Sequence, residues 1–219
     1  MLRTIAVLNQ KGGTGKTTIA THLAAAAHLS GKRTLVLDLD RQGSSFDWYS
    51  ARVEGSKLDG LAVARTDKAL SLPKFRELAR GYDVVVCDGP PRLGDVTRSA
   101  AVAADVVVIP LRAGPLDWWA ASETIEVLDS ADEIRTELKR PPVRRLFLLN
   151  GVAANTRIMR QALDAIASNG GELAPVTIGN RVAFPESMFT GECVLTTVPG
   201  TPAADEINRL FEAVMENKG

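Results

Sequence analysis

Cysteine is nearly absent: the chain of 219 residues has two, Cys87 and Cys193, far apart and at no metal-ligand spacing. That count excludes a disulfide framework or a cysteine-held cluster, and both thiols are expected to be free in a reducing cytoplasm. Net charge is missing as well. With 26 basic and 26 acidic side chains, the molecule as a whole is not an electrostatic nucleic-acid binder, so any such contact must be a local patch. No apolar run reaches membrane-spanning length, and no charged-then-apolar signal segment opens the chain. The terminal stretch Arg209 to Gly219 carries acids on its polar side, which a basic amphipathic membrane tail would not. A cytoplasmic protein without membrane attachment is expected. No Ser/Pro/Gly-rich linker interrupts the chain, so residues 1–219 are expected to form one domain. Histidine is scarce too. His22 and His28 lie on an alanine-rich segment with no carboxylate partner by spacing, and a place on the helix surface is expected of both.

What is present is a phosphate-binding loop, itself missing one part. Gly15-Lys16-Thr17 is the end of a Gly-x-x-x-x-Gly-Lys-Thr pattern, but Gln10 stands where its first glycine belongs, and Lys11-Gly12-Gly13-Thr14 follows. Before it, Thr4 to Leu8 reads as a short apolar strand, and after it Thr17 to Leu29 has helical composition. Strand, glycine-rich turn and helix are the geometry in which backbone N–H groups and a helix dipole converge on phosphates. Lys16 is expected at the β- and γ-phosphates, Thr17 as a direct Mg2+ ligand and Thr18 near the α-phosphate. Lys11 has no role in an ordinary loop.

Two further segments accompany it. Thr34 to Leu37 is a short apolar strand with Asp38 and Asp40 emerging at its carboxyl end, where open α/β sheets bind ligands. Asp38 either supports a magnesium shell or caps the following turn. Val84-Val85-Val86-Cys87-Asp88 reads as a strand buried on both faces with a carboxylate at its tip. Gly89-Pro90-Pro91 then makes a stiff extended exit, suited to sensing a γ-phosphate or serving as a rigid turn.

Together, Lys11 to Thr18, Leu37 to Ser44 and Val84 to Pro91 resemble the ParA/MinD family of deviant Walker ATPases. Ser44 to Trp48 and Pro115 to Ala121 extend the likeness to the small plasmid-type, ParF-like ParA proteins. The resemblance implies that Lys11 crosses a homodimer interface to the partner's phosphates, so that ATP and Mg2+ are sandwiched between two subunits. It implies that Lys11, Lys16 and Asp40 serve catalysis, with Asp40 orienting the hydrolytic water. Asp88 and Asp40 would reach the magnesium through water, and residues Lys11, Gly12, Gly13, Thr14, Gly15, Lys16, Thr17 and Thr18 would cradle the nucleotide. Asn150 would contact the adenine or ribose, or else cap its strand. The family usually has proline where this chain has Arg41. Nothing precedes the first strand, so the N-terminal helix-turn-helix of operon-repressing members is expected to be absent.

The remaining chain alternates strand and helix. Asp105 to Pro110 and Leu146 to Asn150 read as strands, Leu173 to Ile178 as an edge strand. Helices are expected from Pro115 through Leu138, over 156–168, and from Pro202 with Ile207, Leu210, Phe211 and Val214 on one face. Of Trp118 and Trp119, neighbours that cannot share a helix face, one is expected in the core. The fold class that follows is α/β, three layers, a mostly parallel twisted sheet with helices on both faces, a P-loop NTPase of the deviant Walker type.

By resemblance the ATP dimer binds DNA non-specifically through a local basic patch, placing the protein on the nucleoid. Arg135, Lys139, Arg140, Arg144 and Arg145, with Arg157 and Arg160, either form that patch or are a solvated basic face. The expected function is plasmid or chromosome partition with a ParB-like or ParG-like centromere-binding partner that stimulates slow hydrolysis. Alternatives are the same ATPase positioning a protein cargo, such as a chemotaxis cluster or microcompartment, and a biosynthetic ligase of the dethiobiotin synthetase type.

Overall fold

Five of the six expected apolar runs form strands, the sixth is cut short, and one unexpected strand widens the sheet. A computed structural model describes residues 2–92, 94–112, 115–151 and 171–216, with backbone alone at 115–120. Its strands are β1 (Arg3–Val7), β2 (Thr34–Asp38), β3 (Ala62–Arg65), β4 (Val84–Asp88), β5 (Val106–Leu111), β6 (Arg144–Leu149) and β7 (Glu172–Leu173). They lie in the order β3-β2-β4-β1-β5-β6-β7, every pairing parallel. Parallel neighbours need crossovers, supplied by α1 (Lys16–Leu29), α2 (Ser44–Ser50), α3 (Leu72–Leu78), α4 (Asp95–Ala103) and α5 (Pro115–Glu137). The chain continues through α6 (Ala183–Phe189), α7 (Val194–Thr197) and α8 (Pro202–Met215).

Alternation along the strands sends side chains into two separate cores. Ile5, Val7, Val84 and Val86 pack with α1 and α8 on one face, and Ala6, Leu8, Val85 and Cys87 pack with α3, α4 and α5 on the other. All residues of β2, β4 and β5 are buried, as a central parallel strand requires. The α/β architecture expected from the sequence is the observed one.

Several details differ from expectation. The strand expected over 173–178 is cut to Glu172–Leu173 plus a single bridge between Asn150 and Ile178, and Pro175, which has no N–H to give a ladder, lies between them. The short elements α2, β3, α3, α4, α6 and α7 have no counterpart in the sequence reading, because each is too brief to show a periodic pattern. The helix expected over 156–168 and the side chains of Trp118 and Trp119 lie outside the described residues.

His22 corrects a more consequential expectation. It is fully buried, not on a helix surface. From Ile19 to Ala27 every residue of α1 is buried, because the helix is sandwiched between β2 and β4 on one side and α6, α7 and α8 on the other. Alanines at 20 and 24–27 leave room for that approach, and a helix without a polar stripe is a buried one.

Candidate functional site

The register of the three central strands assembles the site. Val7 pairs with Asp88, and Asp88 with Asp38, so the phosphate loop and both carboxylates leave the sheet at one edge. At the end of β1, buried Asn9 donates from Nδ2 to the Pro110 carbonyl at 2.7 Å and accepts the Lys11 N–H on Oδ1 at 3.0 Å. The Lys11 carbonyl then accepts Thr14 Oγ1 at 3.3 Å and Lys16 Nζ at 3.0 Å. Asn150 Nδ2 donates to the Thr14 carbonyl at 2.7 Å. That contact makes Asn150 a clamp on the loop, delivered from the end of β6.

Gly15 occupies the N-cap of α1 with φ 92° and no side-chain cap. The first amides of α1 therefore face the loop without a side-chain acceptor, the arrangement that binds an anion. A Cβ at Gly15 would stand 2.2 Å from Asn150 Nδ2, whereas Gly12 and Gly13 have nothing within 4 Å. The loop is tight at its base and open at its mouth, where Gly12 and Gly13 are exposed and Lys11 is half-buried.

Behind the loop, Asp88 is completely buried. Its Oδ2 accepts Ser45 Oγ at 2.7 Å, and Thr17 also donates to the carboxylate. Burial pushes the Asp88 carboxyl up to about 7, against the opposing pull of Ser45, Thr17 and Lys16. Its Oδ1 is buried without a hydrogen-bond partner, an acceptor that a cation's bound water would satisfy. Burial lowers the Lys16 ammonium, while Asp88 and Asp40 hold it charged.

Asp38 caps the turn after β2, one of the two roles expected of it. Buried, with its carboxyl pushed up by desolvation, it accepts Asp40 N–H on Oδ1 and Phe46 N–H on Oδ2, both at 3.0 Å. It thus ties the turn after β2 to the start of α2. Asp40, half-buried, accepts Gln42 N–H at 3.0 Å on Oδ1. Across an open cleft of about 730 Å³, the Asp40 turn faces Pro90, Pro91 and Arg92. Gly89 starts that second turn where no side chain fits, since a Cβ would stand 2.5 Å from Leu8 Cδ2 and 2.9 Å from the Val7 carbonyl.

The structure thus brings Lys16, Thr17, Asp88, Asp40 and Asn150 around the loop. Ser45 and Asn9 belong to the site too, and sequence reasoning gave them no role. A serine in the first turn of a short helix carries no signal of its own, and Asn9, just past an apolar strand, had only its position.

In the basic cluster Arg135 is a correction. Arg135 is 2 % exposed, and its guanidinium donates to the carbonyls of Ala101, Val102, Ala104 and Pro141. Arg140 donates to Val102 and Ala103 and pairs with Asp105. These two arginines satisfy the orphan carbonyls at the carboxyl end of α4, where the helix dipole favours a cation. Arg144 is bidentate to Glu172 and donates to the Ala213 carbonyl, and Arg145 holds Asp129 and Asp132 at 2.7 Å each. All four are tied into the fold by these contacts, and Arg135, buried, has no surface to offer DNA. Lys139 is exposed; Arg157 and Arg160 lie outside the described residues.

Comparison with known proteins agrees with this geometry. Residues 5–217 match the family model described as the CobQ/CobB/MinD/ParA nucleotide binding domain. The chain is similar to the chromosome-partitioning ATPase Soj of Thermus thermophilus, 32% identical over 242 residues, covering 98% of this chain and 96% of that one. It is also similar to the maintenance of carboxysome distribution protein A of Halothiobacillus neapolitanus, 31% identical over 217 residues, covering 97% and 96%. Among solved structures, the ATP complex of a McdA variant from Cyanothece superposes with a TM-score of 0.74 at 17% identity, over 97% of this chain and 95% of that one. This last likeness is one of fold.

Proposed function

The chain belongs to the CobQ/CobB/MinD/ParA nucleotide-binding family, and on that premise we propose that it is a ParA-type switch: ATP with Mg2+ closes a homodimer that binds DNA non-specifically, and partner-stimulated hydrolysis releases it. The observation that carries the reading is the pairing of an uncapped helix N-terminus at Gly15 with the unpartnered buried Oδ1 of Asp88 behind the same loop. The first suits the phosphates, the second a magnesium-bound water. Bound there, the ion would neutralise charge that develops in phosphoryl transfer.

Roles for this chain's residues follow. Amides at the start of α1 and Lys16 bind the phosphates, Thr17 and Asp88 hold the ion's shell, and Asp40 orients the attacking water. The open mouth at Gly12 and Gly13 leaves room for a second subunit, with Lys11 beside it to reach across. Slow hydrolysis makes the nucleotide a timer, and the cargo is DNA carrying a centromere-binding adaptor of the ParB or ParG type. The similarity to Soj favours that cargo. The similarity to a carboxysome distribution protein favours a second reading, in which the same cycle positions a protein assembly. Among the described residues no helix is long and apolar enough to cross a membrane.

Light scattering during gel filtration tests the switch. The wild type should be monomeric without nucleotide and dimeric with ATP, and Lys11→Ala should bind ATP yet stay monomeric. Asp40→Ala should form the dimer and hydrolyse little. DNA binding should require ATP and fall steeply with salt, as counterion release demands. An ATP dimer formed by Lys11→Ala, or DNA binding equal with and without ATP, would overturn the proposal.

A further inference from the structure

Arg65, the last residue of β3, belongs to none of the motifs that mark the site. Its strand lies parallel to β2 with Asp38 opposite Arg65, and Thr66 N–H donates to the Asp38 carbonyl at 2.9 Å. This register carries the Arg65 side chain over the turn after β2. There Nη2 donates to the Arg41 carbonyl. The guanidinium packs against Gly43, so close that a Cβ at that position would stand 2.8 Å from Cζ and Nη1. Gly43 also has φ 74°, which an L side chain adopts reluctantly.

The covered segment is the one that presents Asp40. Gly43 N–H donates to the Asp40 carbonyl at 3.0 Å, closing a four-residue turn with Arg41 and Gln42 at its centre. From below, Asp38 holds the Asp40 N–H; from the side, Arg65 holds the Arg41 carbonyl. Arg41 occupies the first central position, where proline would preset φ and arginine does not. Without an external hold, the turn would therefore sample more conformations, and the Asp40 carboxylate with it.

We propose that Arg65 is a positioning residue for hydrolysis: by holding the Arg41 carbonyl and covering Gly43 it keeps the Asp40 carboxylate where it can orient the attacking water. This rests on the role given above to Asp40. Arg65 contacts the turn and not the phosphate loop, so it serves turnover and not nucleotide affinity. Phosphoryl transfer depends on positioning, and small displacements of an orienting group cost rate steeply.

The test compares full-length Arg65→Ala, Arg65→Lys, Asp40→Asn and the double variant Arg65→Ala/Arg41→Pro. Nucleotide Kd is measured with a fluorescent ATP analogue and kcat by phosphate release. Arg65→Ala should lower kcat about 10-fold while Kd stays within about twofold, the split expected of an interaction that matters only in the transition state. Arg65→Lys, which keeps a donor but not the planar cover, should recover part of the rate. Arg41→Pro should restore most of it in the Arg65→Ala background, since proline supplies the rigidity internally. Wild-type kcat in Arg65→Ala, with Asp40→Asn inactive, would overturn the role of Arg65 and leave that of Asp40 standing. Equal loss of affinity and rate without rescue by Arg41→Pro would show general damage and overturn it as well. Full activity in Asp40→Asn would overturn the role of Asp40 and this inference with it.

Discussion

His22 should contribute a loss of stability on acidification. Its Nδ1 lies 2.7 Å from the Thr18 carbonyl, and its Nε2 accepts the Val194 N–H at 3.2 Å. A ring nitrogen that accepts a backbone N–H carries no proton, so the folded state holds neutral imidazole with the proton on Nδ1. Phe184 packs edge-on against the ring at 5.2 Å between centroids, and burial lowers the imidazole from 6.5 to about 4. The sign is the reverse of a histidine with an acidic partner. Between those two values the unfolded chain takes up a proton that the folded chain refuses, so stability falls as pH drops through 6.5 and the loss levels off below about 4. Integrating that window predicts a loss of about 2 kcal/mol at pH 5 and about 3 kcal/mol near pH 4. Asp88, whose carboxyl is pushed up to about 7 by burial, acts with the opposite sign over the same window. The His22 share is therefore read as the difference between wild type and a non-titrating variant in urea unfolding at pH 7.5 and pH 5, with equal m-values. His22→Gln keeps a donor and an acceptor but does not titrate. The variant should lose stability between the same two conditions by about 2 kcal/mol less than the wild type. An identical pH dependence in the two proteins would refute the buried neutral histidine.

Three other substitutions separate fold from site. Arg135→Ala should cost about 3 kcal/mol or more in urea unfolding, because it strands buried carbonyls at the end of α4; ATP-dependent DNA binding measured where the variant is still folded should be unchanged, and its loss there would return Arg135 to a DNA surface. Gly15→Ala should weaken ATP binding about 10-fold or more, since it forces a strained φ and drives Asn150 off the loop; isothermal titration at unchanged melting temperature checks this, and wild-type affinity would refute the clamp. Ser45→Ala removes the hydroxyl from Asp88 Oδ2 and should raise the Mg2+ concentration for half-maximal hydrolysis severalfold, with nucleotide affinity in excess Mg2+ preserved; an unmoved Mg2+ requirement would remove Ser45 from the site.

Local pattern made much of this protein legible from sequence alone. The loop Lys11 to Thr18 and the strand tip at Asp88 are contiguous, and their chemistry depends on residue order: glycines permit the turn, and a carboxylate ends an apolar strand. The same holds for β1, β2, β4, β5 and β6, whose apolar runs dictate a parallel sheet without reference to partners. What depended on contacts between distant segments was not legible. Arg135 and Arg140 look like any exposed basic pair until α4 is placed with its orphan carbonyls against them. His22 looks like a helix surface residue until α6, α7 and α8 close over α1. Ser45 meets Asp88, and Arg65 meets Arg41, only because β2 lies between β3 and β4 in one register. Sequence order by itself determined the ligand class and the turn of the glycine-rich loop. Tertiary packing decided which charges are spent on the fold and which remain for function, because burial and hydrogen-bond partnership are properties of neighbours in space.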